Sequence, residues 1–295
     1  MVLLYDAAVD NGLLDALPAS ASDLAADLGL AGNAVRVVLD GLALWNIVVL
    51  DTDGVYARGL AAPDANGSAI LRHHAGAIRR WTTIPERLRG VPPSKTGMTP
   101  NAMQIMLDAM AVRGRESAPG AVDACLALAP DAASVLDLGG GHGKFAVEFA
   151  RRGLLAVMQD RPEVIDLVRR RNWLEGSDVE LFAGDFFETT PERTFDIVFC
   201  AGVVYTMDGE RVVRLLGRAR PLVAPGGLLA VHTFLHGTDE LATLFSGEML
   251  AVVTGGPHSE QDLRGWFGEA GYRSVASQRL DRRPEWMLFA KPDGG

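Results

Sequence analysis

Residues 134–152 join a short apolar strand, a glycine-rich turn and an amphipathic helix, and this unit constrains the fold more than any other part of the chain. The strand ends in the acidic residue Asp137, and the helix begins at Lys144. Between them, glycines stand at alternate positions, Gly139, Gly141 and Gly143. Because glycine has no Cβ, the backbone can turn tightly and a ligand can lie against it. The helix presents free N–H groups at its start, so the unit indicates a nucleotide-type site.

The spacing of the glycines alone allows three interpretations of this turn. The dinucleotide fingerprint G-x-G-x-x-G/A is met by Gly141, Gly143 and Ala146, which admits a nicotinamide or flavin cofactor. The carboxylate of Asp137 would repel a pyrophosphate but suits the cationic amino acid end of S-adenosylmethionine. The third reading is a tight strand-to-helix turn that binds no ligand.

Strands alternate with helices from residue 134 onward, which predicts a parallel sheet covered on both faces. The predicted strands are 135–138, 154–159, 179–183, 196–200 and 227–233. Segments 272–278 and 286–290 are separated by a charged turn and predict a closing antiparallel pair. Ligands bind at the carboxyl ends of such strands, so polar residues at these ends test the cofactor hypothesis.

Acidic residues follow three successive strands of this predicted sheet. Asp137 ends the first strand, Asp160 ends the second with Arg161 next to it, and Asp185 follows the third. A carboxylate at Asp160 can accept hydrogen bonds from both hydroxyls of a ribose. Asp185 can accept one from an adenine amino group, with the aromatic ring of Phe186 beside it to pack on the base. The joint pattern favours a nucleoside cofactor.

The stretches 135–143, 184–188 and 225–229 resemble those of class I S-adenosylmethionine-dependent methyltransferases, in particular small-molecule O-methyltransferases of the caffeate and hydroxyindole type from bacterial natural-product pathways. The resemblance implies an α/β, Rossmann-like sheet of six parallel strands and one antiparallel strand. It implies S-adenosylmethionine as cofactor and S-adenosylhomocysteine as product. The implied cofactor-binding residues are Asp137, Gly139, Gly141, Gly143, Asp160, Arg161, Asp185, Phe186, Cys200 and Met110. Of these, Cys200 is expected to be buried and chemically inert.

The first part of the chain predicts three helices and a hairpin. Ser20 is expected to cap a helix that stops at Gly29, and an Asp-Gly turn joins two short strands in 48–56. This is a winged-helix-like pattern, and it resembles the dimerisation domain of the family. We therefore predict three parts: a dimerisation region at 1–95, linking helices within 96–130 (over 101–111 and 121–129), and the cofactor-binding catalytic domain at 131–295.

A winged helix also raises the possibility of DNA binding, but the charges oppose it. The third helix, over residues 33–44, has Arg36 as its only basic residue, too few for the phosphate contacts that dominate DNA affinity. A net charge of −9 likewise opposes binding to nucleic acid or anionic membrane. We predict a homodimer acting on a small molecule, with neither nucleic acid nor membrane as partner. A DNA-binding regulator is the less favoured alternative.

The cysteine content and hydropathy bound the cellular setting. There are two cysteines, Cys125 and Cys200, and they lack the spacing of metal ligands. No apolar run approaches the roughly 20 residues that span a bilayer, and the start of the chain lacks the pattern of a secretory signal. These features predict a metal-independent protein of the reducing cytoplasm.

The catalytic residues are where the chain departs from the family it resembles. Many members have a His-Asp-Trp segment after the fourth strand, and its histidine is the general base on a substrate hydroxyl. Aligned on residues 208–211, this chain has Tyr205 at that position. A phenol with a pKa near 10 is a poor base at neutral pH. We therefore predict that Tyr205 and His258 position the acceptor and that alignment drives the transfer.

Alternatives to this mechanism stay open at the level of sequence. His232 or His236, which follow the fifth predicted strand, are further candidates for the base. The methylated atom is an oxygen or a carbon of an aromatic or polyketide-like metabolite. The chain is alternatively an enzyme that binds S-adenosylmethionine but catalyses a non-methylating reaction, such as a hydroxylation, a decarboxylation or a pericyclic reaction.

Overall fold

The computed structural model describes residues 1–93, 98–281 and 283–293. The chain divides into two compact units. The first comprises Met1–Arg79 with Thr99–Ala109, and the second comprises Arg80–Met98 with Met110–Gly295. Among the described residues, no helix is long and apolar enough to cross a membrane.

The first unit contains three short helices and a small antiparallel sheet. The helices are α1 (Val2–Asp10), α2 (Ala21–Leu28) and α3 (Gly32–Ala43), and the strands are β1 (Ala19–Ser20), β2 (Val48–Leu50) and β3 (Val55–Arg58), in the order β1-β3-β2. The predicted cap is confirmed, since Ser20 Oγ accepts the N–H of Asp23 and Gly29 adopts the left-handed conformation at φ 67°. The hairpin formed by β2 and β3 is confirmed as well.

Two long helices follow the hairpin, α4 (Ala65–Trp81) and α6 (Pro100–Leu128), with the short α5 (Ile84–Leu88) between them. The sequence predicted two separate helices where α6 is continuous, and this prediction was wrong. Pro119 lies inside α6, where proline removes one backbone hydrogen bond. The hydroxyl of Ser117 donates to the carbonyl of Arg113 within this stretch. Packing of Ala118, Ala121 and Val122 in the core of the second unit supports the helix across the proline.

The second unit is built on alternating strands and helices. In chain order they are β4 (Ser134–Leu138), α7 (Lys144–Arg151), β5 (Leu155–Asp160), α8 (Pro162–Arg170), β6 (Glu180–Ala183), β7 (Phe195–Ala201), α9 (Gly209–Ala219), β8 (Val223–Phe234), α10 (Glu240–Val252), α11 (Glu260–Glu269), β9 (Tyr272–Arg279) and β10 (Glu285–Pro292). The strands form one sheet in the order β6-β5-β4-β7-β8-β10-β9. Strands β4 to β8 are parallel to one another, and β10 is antiparallel to both β8 and β9. The predicted α/β class with a mostly parallel sheet is confirmed.

The register sets which strand ends meet. Asp137 lies opposite Met158 of β5 and Phe199 of β7, so the end of β4 is central in the sheet. One face of the sheet packs against α6 and α7 through residues such as Cys125 and Phe149. The other face packs against α9 and α11 through residues such as Leu216 and Phe267. The carboxyl edge of the parallel strands is where ligands bind in this type of sheet.

Candidate cofactor and acceptor site

The glycine turn between β4 and α7 requires glycine at each predicted position. Gly139, Gly141 and Gly143 have φ values of 76°, 54° and 71°, in the left-handed region that strains other residues. The N–H groups of Gly139 and Gly140 both donate to the carbonyl of Gln159, at 2.8 and 3.1 Å, which fixes the turn to the end of β5. A turn held this way presents its remaining groups at the carboxyl edge of the sheet.

The turn is also too close to its neighbours for side chains. A Cβ on Gly143 would lie 2.5 Å from Leu174 Cδ2. A Cβ on Gly140 would lie 2.6 Å from Met158 Cγ and 2.8 Å from Asp137 Oδ2. Gly140 was not among the predicted positions, which are the alternate glycines, although the run of three consecutive glycines at 139–141 was the available signal. The space that these glycines leave open adjoins the carboxylate of Asp137.

Asp137 is a buried carboxylate without a partner. The residue is fully buried, and neither carboxylate oxygen has a hydrogen-bond partner in the part of the chain that the structure describes. Burial, with the added charge of Asp160, raises the pKa of Asp137 to about 7, although the backbone N–H of Ala146 is near enough to oppose the increase without forming a hydrogen bond of normal geometry. A buried charge is costly unless an opposite charge pairs with it. The site thus fits a ligand that brings a cationic group to the end of β4, as S-adenosylmethionine does.

Asp160 lies at the end of β5 and braces the glycine turn. Its Oδ2 accepts the N–H of Gly141 at 2.8 Å, and its Oδ1 accepts the N–H of Arg161 at 2.7 Å. Burial raises its pKa, while these two backbone bonds oppose the increase. The side chain of Arg161 forms an ion pair with Glu163 at 3.0 Å. Each oxygen of Asp160 keeps a second lone pair, so the carboxylate can brace the turn and still accept a ligand hydroxyl.

Asp185 and Phe186 follow β6 at the same edge. Asp185 Oδ1 accepts the N–H of Phe187 at 2.8 Å, which fixes the loop. Phe186 lies against the glycine turn, since a Cβ on Gly139 would be 3.6 Å from its Cε1. The structure thus brings the aromatic ring after β6 next to the turn after β4.

The two remaining predicted cofactor residues are apolar in character. Cys200 is buried near the end of β7, and burial, with the charge of Asp137, raises the pKa of its thiol to about 12. The thiol is therefore protonated and inert at neutral pH. Met110 is half-buried on α6, in the second unit.

Tyr205 sits in a single 3₁₀ turn, Val204–Thr206, just after β7. Its ring packs edge-on against Phe245 at 4.9 Å between centroids and lies 6.1 Å from Phe234. Burial raises its pKa to about 12; Arg113 opposes the increase, and Glu285 adds to it. The phenol is thus protonated at neutral pH and is a hydrogen-bond donor.

His258 holds the turn that carries Tyr205. Its Nε2 lies 3.2 Å from the carbonyl oxygen of Val204 and 3.0 Å from that of Met207, so Nε2–H donates to this turn. The imidazole packs edge-on against Trp266 at 4.7 Å between centroids. With Nε2 engaged by two carbonyls, His258 is placed to orient Tyr205 rather than to take a proton through that nitrogen.

Two further polar side chains lie at the same edge: His232, which the sequence offered only as an alternative candidate for the base, and Glu285, which the sequence did not single out. His232 lies near the end of β8 and Glu285 begins β10, and both are buried. Each has a side-chain atom, His232 Nε2 and Glu285 Oε2, without a hydrogen-bond partner among the described residues. The signal in the sequence was a lone acid before an apolar strand, Glu285 ahead of residues 286–290. No group of three or more His, Cys, Asp or Glu side chains suited to a metal occurs in the described ranges.

Comparison with known proteins identifies the family. Residues 111–277 match the family model described as a methyltransferase domain. This match covers more than half of the 295 residues, and the chain therefore belongs to the methyltransferase domain family. The resemblance to class I methyltransferases inferred from the glycine turn is confirmed.

Individual relatives agree with the family. The chain is 32% identical over 147 residues to 3-amino-4-hydroxybenzoate 4-O-methyltransferase of Streptomyces cremeus, a match that spans 47% of this chain and only 40% of that enzyme. The mitomycin 7-O-methyltransferase MmcR has a similar structure, with a TM-score of 0.80 and 25% identity over 99% of this chain and 94% of that one. Human N-acetylserotonin methyltransferase in complex with SAM shares the fold, with a TM-score of 0.77 and 19% identity over 99% of this chain and 93% of that one. Membership of the methyltransferase domain family agrees with S-adenosylmethionine as the cofactor.

Proposed function

We propose that this protein is a methyltransferase that transfers a methyl group from S-adenosylmethionine to a hydroxyl of a small aromatic or polyketide-like metabolite in a natural-product pathway. The observation that carries the proposal is the unpaired, fully buried carboxylate of Asp137 beneath the glycine turn. Folding leaves this charge uncompensated, and a cationic ligand compensates it. The sulfonium of bound S-adenosylmethionine supplies an electrophilic methyl group.

The residues around the turn would hold the cofactor in distinct ways. Asp137 would pair with its ammonium group, and Asp160 would accept the ribose hydroxyls with the lone pairs that the backbone leaves free. Phe186 would pack on the adenine, and Asp185 would accept its amino group. Gly139, Gly141 and Gly143 keep the approach open, with Met110, Cys200 and Arg161 at the periphery. The proximity of Phe186 to Gly139 supports this assignment.

In this proposal Tyr205 contacts the acceptor, and His258 holds the turn that carries Tyr205. A phenol with its pKa raised to about 12 donates a hydrogen bond and does not abstract a proton. His258, through its hydrogen bonds to Val204 and Met207, is a positioning residue for Tyr205. The names of the relatives, which are O-methyltransferases of small molecules, support oxygen as the methylated atom.

The first unit supports a homodimer. It exposes large apolar side chains that a monomer would leave in water: Leu44 is 81% exposed and Leu60 is 98% exposed, with Trp45 and Leu50 also exposed. Its three helices and hairpin support a winged-helix-like dimerisation region. Size-exclusion chromatography with light scattering tests this, since Leu44→Glu with Leu60→Glu should convert a dimer to a monomer.

The function is tested by binding and by mass balance. Isothermal titration with S-adenosylhomocysteine should show tight binding that Asp160→Ala weakens. Asp166→Ala, an exposed position on α8, is the matched control and should leave affinity unchanged. Incubation with S-adenosylmethionine and a panel of hydroxylated aromatics should yield equal amounts of S-adenosylhomocysteine and methylated product. Turnover of an acceptor with S-adenosylmethionine unchanged would refute methyl transfer and favour the non-methylating alternative.

A further inference from the structure

Two buried residues at the carboxyl edge of the sheet, His232 and Glu285, each have a polar atom without a partner among the described residues. His232 is 7% exposed and Glu285 is 8% exposed, and neither His232 Nε2 nor Glu285 Oε2 has a hydrogen-bond partner within the described ranges. Buried polar atoms in native proteins are almost always paired, so each exception calls for an explanation. A ligand that supplies the missing partners is one such explanation.

The strand register places both side chains on one face of the sheet. In the antiparallel pair of β8 and β10, Met287 lies opposite His232 and Glu285 lies opposite Phe234. Opposed residues share a face, as do residues two apart on one strand. His232 and Glu285 are therefore diagonal neighbours, for which Cα atoms are about 7–8 Å apart and long side chains come within reach of one ligand.

This face adjoins both halves of the proposed active site. The imidazole of His232 packs against Phe145, in the first turn of α7 behind the glycine turn, at 5.2 Å between centroids. The carbonyl of His232 accepts the N–H of Gly202, which leads into the turn of Tyr205, at 3.0 Å. Phe234, opposite Glu285, lies 6.1 Å from the ring of Tyr205. This face of β8 and β10 thus adjoins the helix after the glycine turn through His232 and the ring of Tyr205 through Phe234.

The other histidines of the second unit do not offer the same group. His142 Nδ1 accepts the N–H of Lys144 at 3.0 Å, and the Nε2 of His258 is engaged by two carbonyls. His236 is exposed. Among described residues of this unit, His232 is the buried imidazole whose Nε2 lacks a partner.

Burial keeps His232 neutral. Together with the weaker effect of the charge of Arg283, it lowers the pKa of His232 to about 4. Burial raises the pKa of the Glu285 carboxyl group. The charges of Arg283 and Arg113 oppose this increase, and the charge of Asp239 adds to it. At neutral pH the imidazole can accept a hydrogen bond at Nε2, and the carboxyl group of Glu285 can accept one at Oε2.

We propose that His232 and Glu285 form the acceptor-recognition pair, in which His232 Nε2 accepts the hydrogen bond of the hydroxyl to be methylated and Glu285 Oε2 accepts one from a second hydroxyl or amino group on the same aromatic ring. The proposal rests on the proposed function and names its substrate class, an aromatic ring with two adjacent hydrogen-bond donors. It also supplies the base that Tyr205 does not provide.

The same geometry gives the path of the hydroxyl proton during methyl transfer. The hydroxyl oxygen forms its bond to the methyl carbon with a lone pair, while the carbon–sulfur bond breaks and its electron pair stays on sulfur. The hydroxyl proton becomes strongly acidic as the oxygen gains the methyl group, so it passes to His232 Nε2 although this imidazole is a weak base. His232 then returns the proton to water.

Binding of small probes to the full chain saturated with S-adenosylhomocysteine tests the recognition step. Isothermal titration should show that wild type binds 2-aminophenol about tenfold more tightly than phenol, the effect of one additional buried hydrogen bond. Glu285→Leu should abolish this preference and leave phenol affinity unchanged, and His232→Leu should weaken both probes about tenfold. Glu285→Gln keeps an oxygen acceptor and should retain part of the preference, and His236→Leu is the control with unchanged affinities.

The proton role has a separate readout. His232→Gln keeps a hydrogen-bonding group and should bind 2-aminophenol within about threefold of wild type, yet single-turnover methylation should slow at least about a hundredfold, consistent with the loss of a general base. Equal affinity of wild type for the two probes, or an unchanged preference in Glu285→Leu, would overturn the recognition pair. Unchanged rates in His232→Gln would overturn the proton role. Failure of the proposed function itself is distinct, because wild type would then bind no S-adenosylhomocysteine or methylate no phenol.

Discussion

Replacing Asp137 by asparagine removes a buried charge while nearly preserving the side chain's size. The pKa of Asp137 rises from its ordinary 3.8 to about 7, first because of burial. Each pKa unit corresponds to about 1.4 kcal/mol, so ionised Asp137 destabilises the cofactor-free protein by about 4 kcal/mol above pH 7. Asp137→Asn should therefore be more stable than wild type without cofactor, although it loses affinity for S-adenosylmethionine.

The sign and the pH window follow from where the proton is held. Between about pH 4 and pH 7, the folded protein keeps the proton on Asp137 and the unfolded chain does not, so this contribution to stability is lost as pH rises through 7. The advantage of Asp137→Asn should grow by about 2–3 kcal/mol from pH 5 to pH 8.5. Chemical denaturation followed by tryptophan fluorescence at both pH values measures this difference.

A second aspartate is the matched control with the opposite sign. Asp196 Oδ2 accepts the N–H groups of Ala133 and Ser134, each at 2.9 Å. Although burial raises the pKa of Asp196, its hydrogen bonds, chiefly with Ser134, hold it below the ordinary value. Asp196→Asn should thus destabilise the protein at pH 8.5. A stability gain of Asp137→Asn that is absent, or that does not change with pH, would refute the reasoning about the unpaired carboxylate.

Three further changes test the contacts around the site. Gly114→Ala should weaken binding of S-adenosylhomocysteine, because its Cβ would lie 2.4 Å from Cε1 of His142 in the glycine turn. The control is Gly217→Ala on α9, where a Cβ would meet no atom within 4 Å and where alanine should be neutral or stabilising by up to about 1 kcal/mol. Equal affinities of the two variants for S-adenosylhomocysteine would contradict this prediction. Tyr205→Phe should raise KM about tenfold by loss of one hydrogen bond and leave the pH profile of kcat unmoved, and a moved profile would show proton chemistry at the phenol. Burial lowers the pKa of His142 to about 3, so between pH 6.5 and pH 3 the unfolded state binds a proton that the folded state does not. The free energy of unfolding therefore falls as pH falls in this window. Chemical denaturation should show that His142→Gln loses less stability than wild type between pH 6.5 and pH 4.5.

Local features of the fold were predictable because their causes lie within a few residues. The cap at Ser20 involves Asp23, and the hairpin is set by its Asp-Gly turn. The glycine turn was recognisable for the same reason, because left-handed backbone angles at alternate positions select glycine. These elements are specified by short-range sterics and hydrogen bonds, which a single sequence displays.

The acceptor side depended on contacts that sequence spacing does not display. His232 and Glu285 are 53 positions apart in the chain and meet only through the register of β8 and β10. His258 similarly reaches the turn of Tyr205 from a distant loop, and its two carbonyl partners changed its interpretation from acceptor contact to positioning residue. The continuity of α6 through Pro119 is also a tertiary effect, since the core of the second unit supports the helix there.

Most of the buried side-chain atoms that lack a hydrogen-bond partner among the described residues are on strands of the large sheet, whereas Arg87 Nε is on α5. Three of these residues lie at one edge of the sheet, and their grouping is itself an argument for ligand binding. Asp137 lies near the end of β4 and His232 near the end of β8. Glu285 begins the antiparallel β10 opposite Phe234, so all three lie at the carboxyl edge. An unpaired atom arising from imperfect packing has no reason to prefer this edge, whereas an atom meant for a ligand must lie there. If a cationic cofactor and a donor-bearing acceptor supply the missing partners, each should stabilise the folded protein in proportion to its occupancy. Thermal unfolding should then shift upward with S-adenosylhomocysteine in wild type and shift less in Asp137→Asn, because the variant has already lost the charge that the cofactor would pair with.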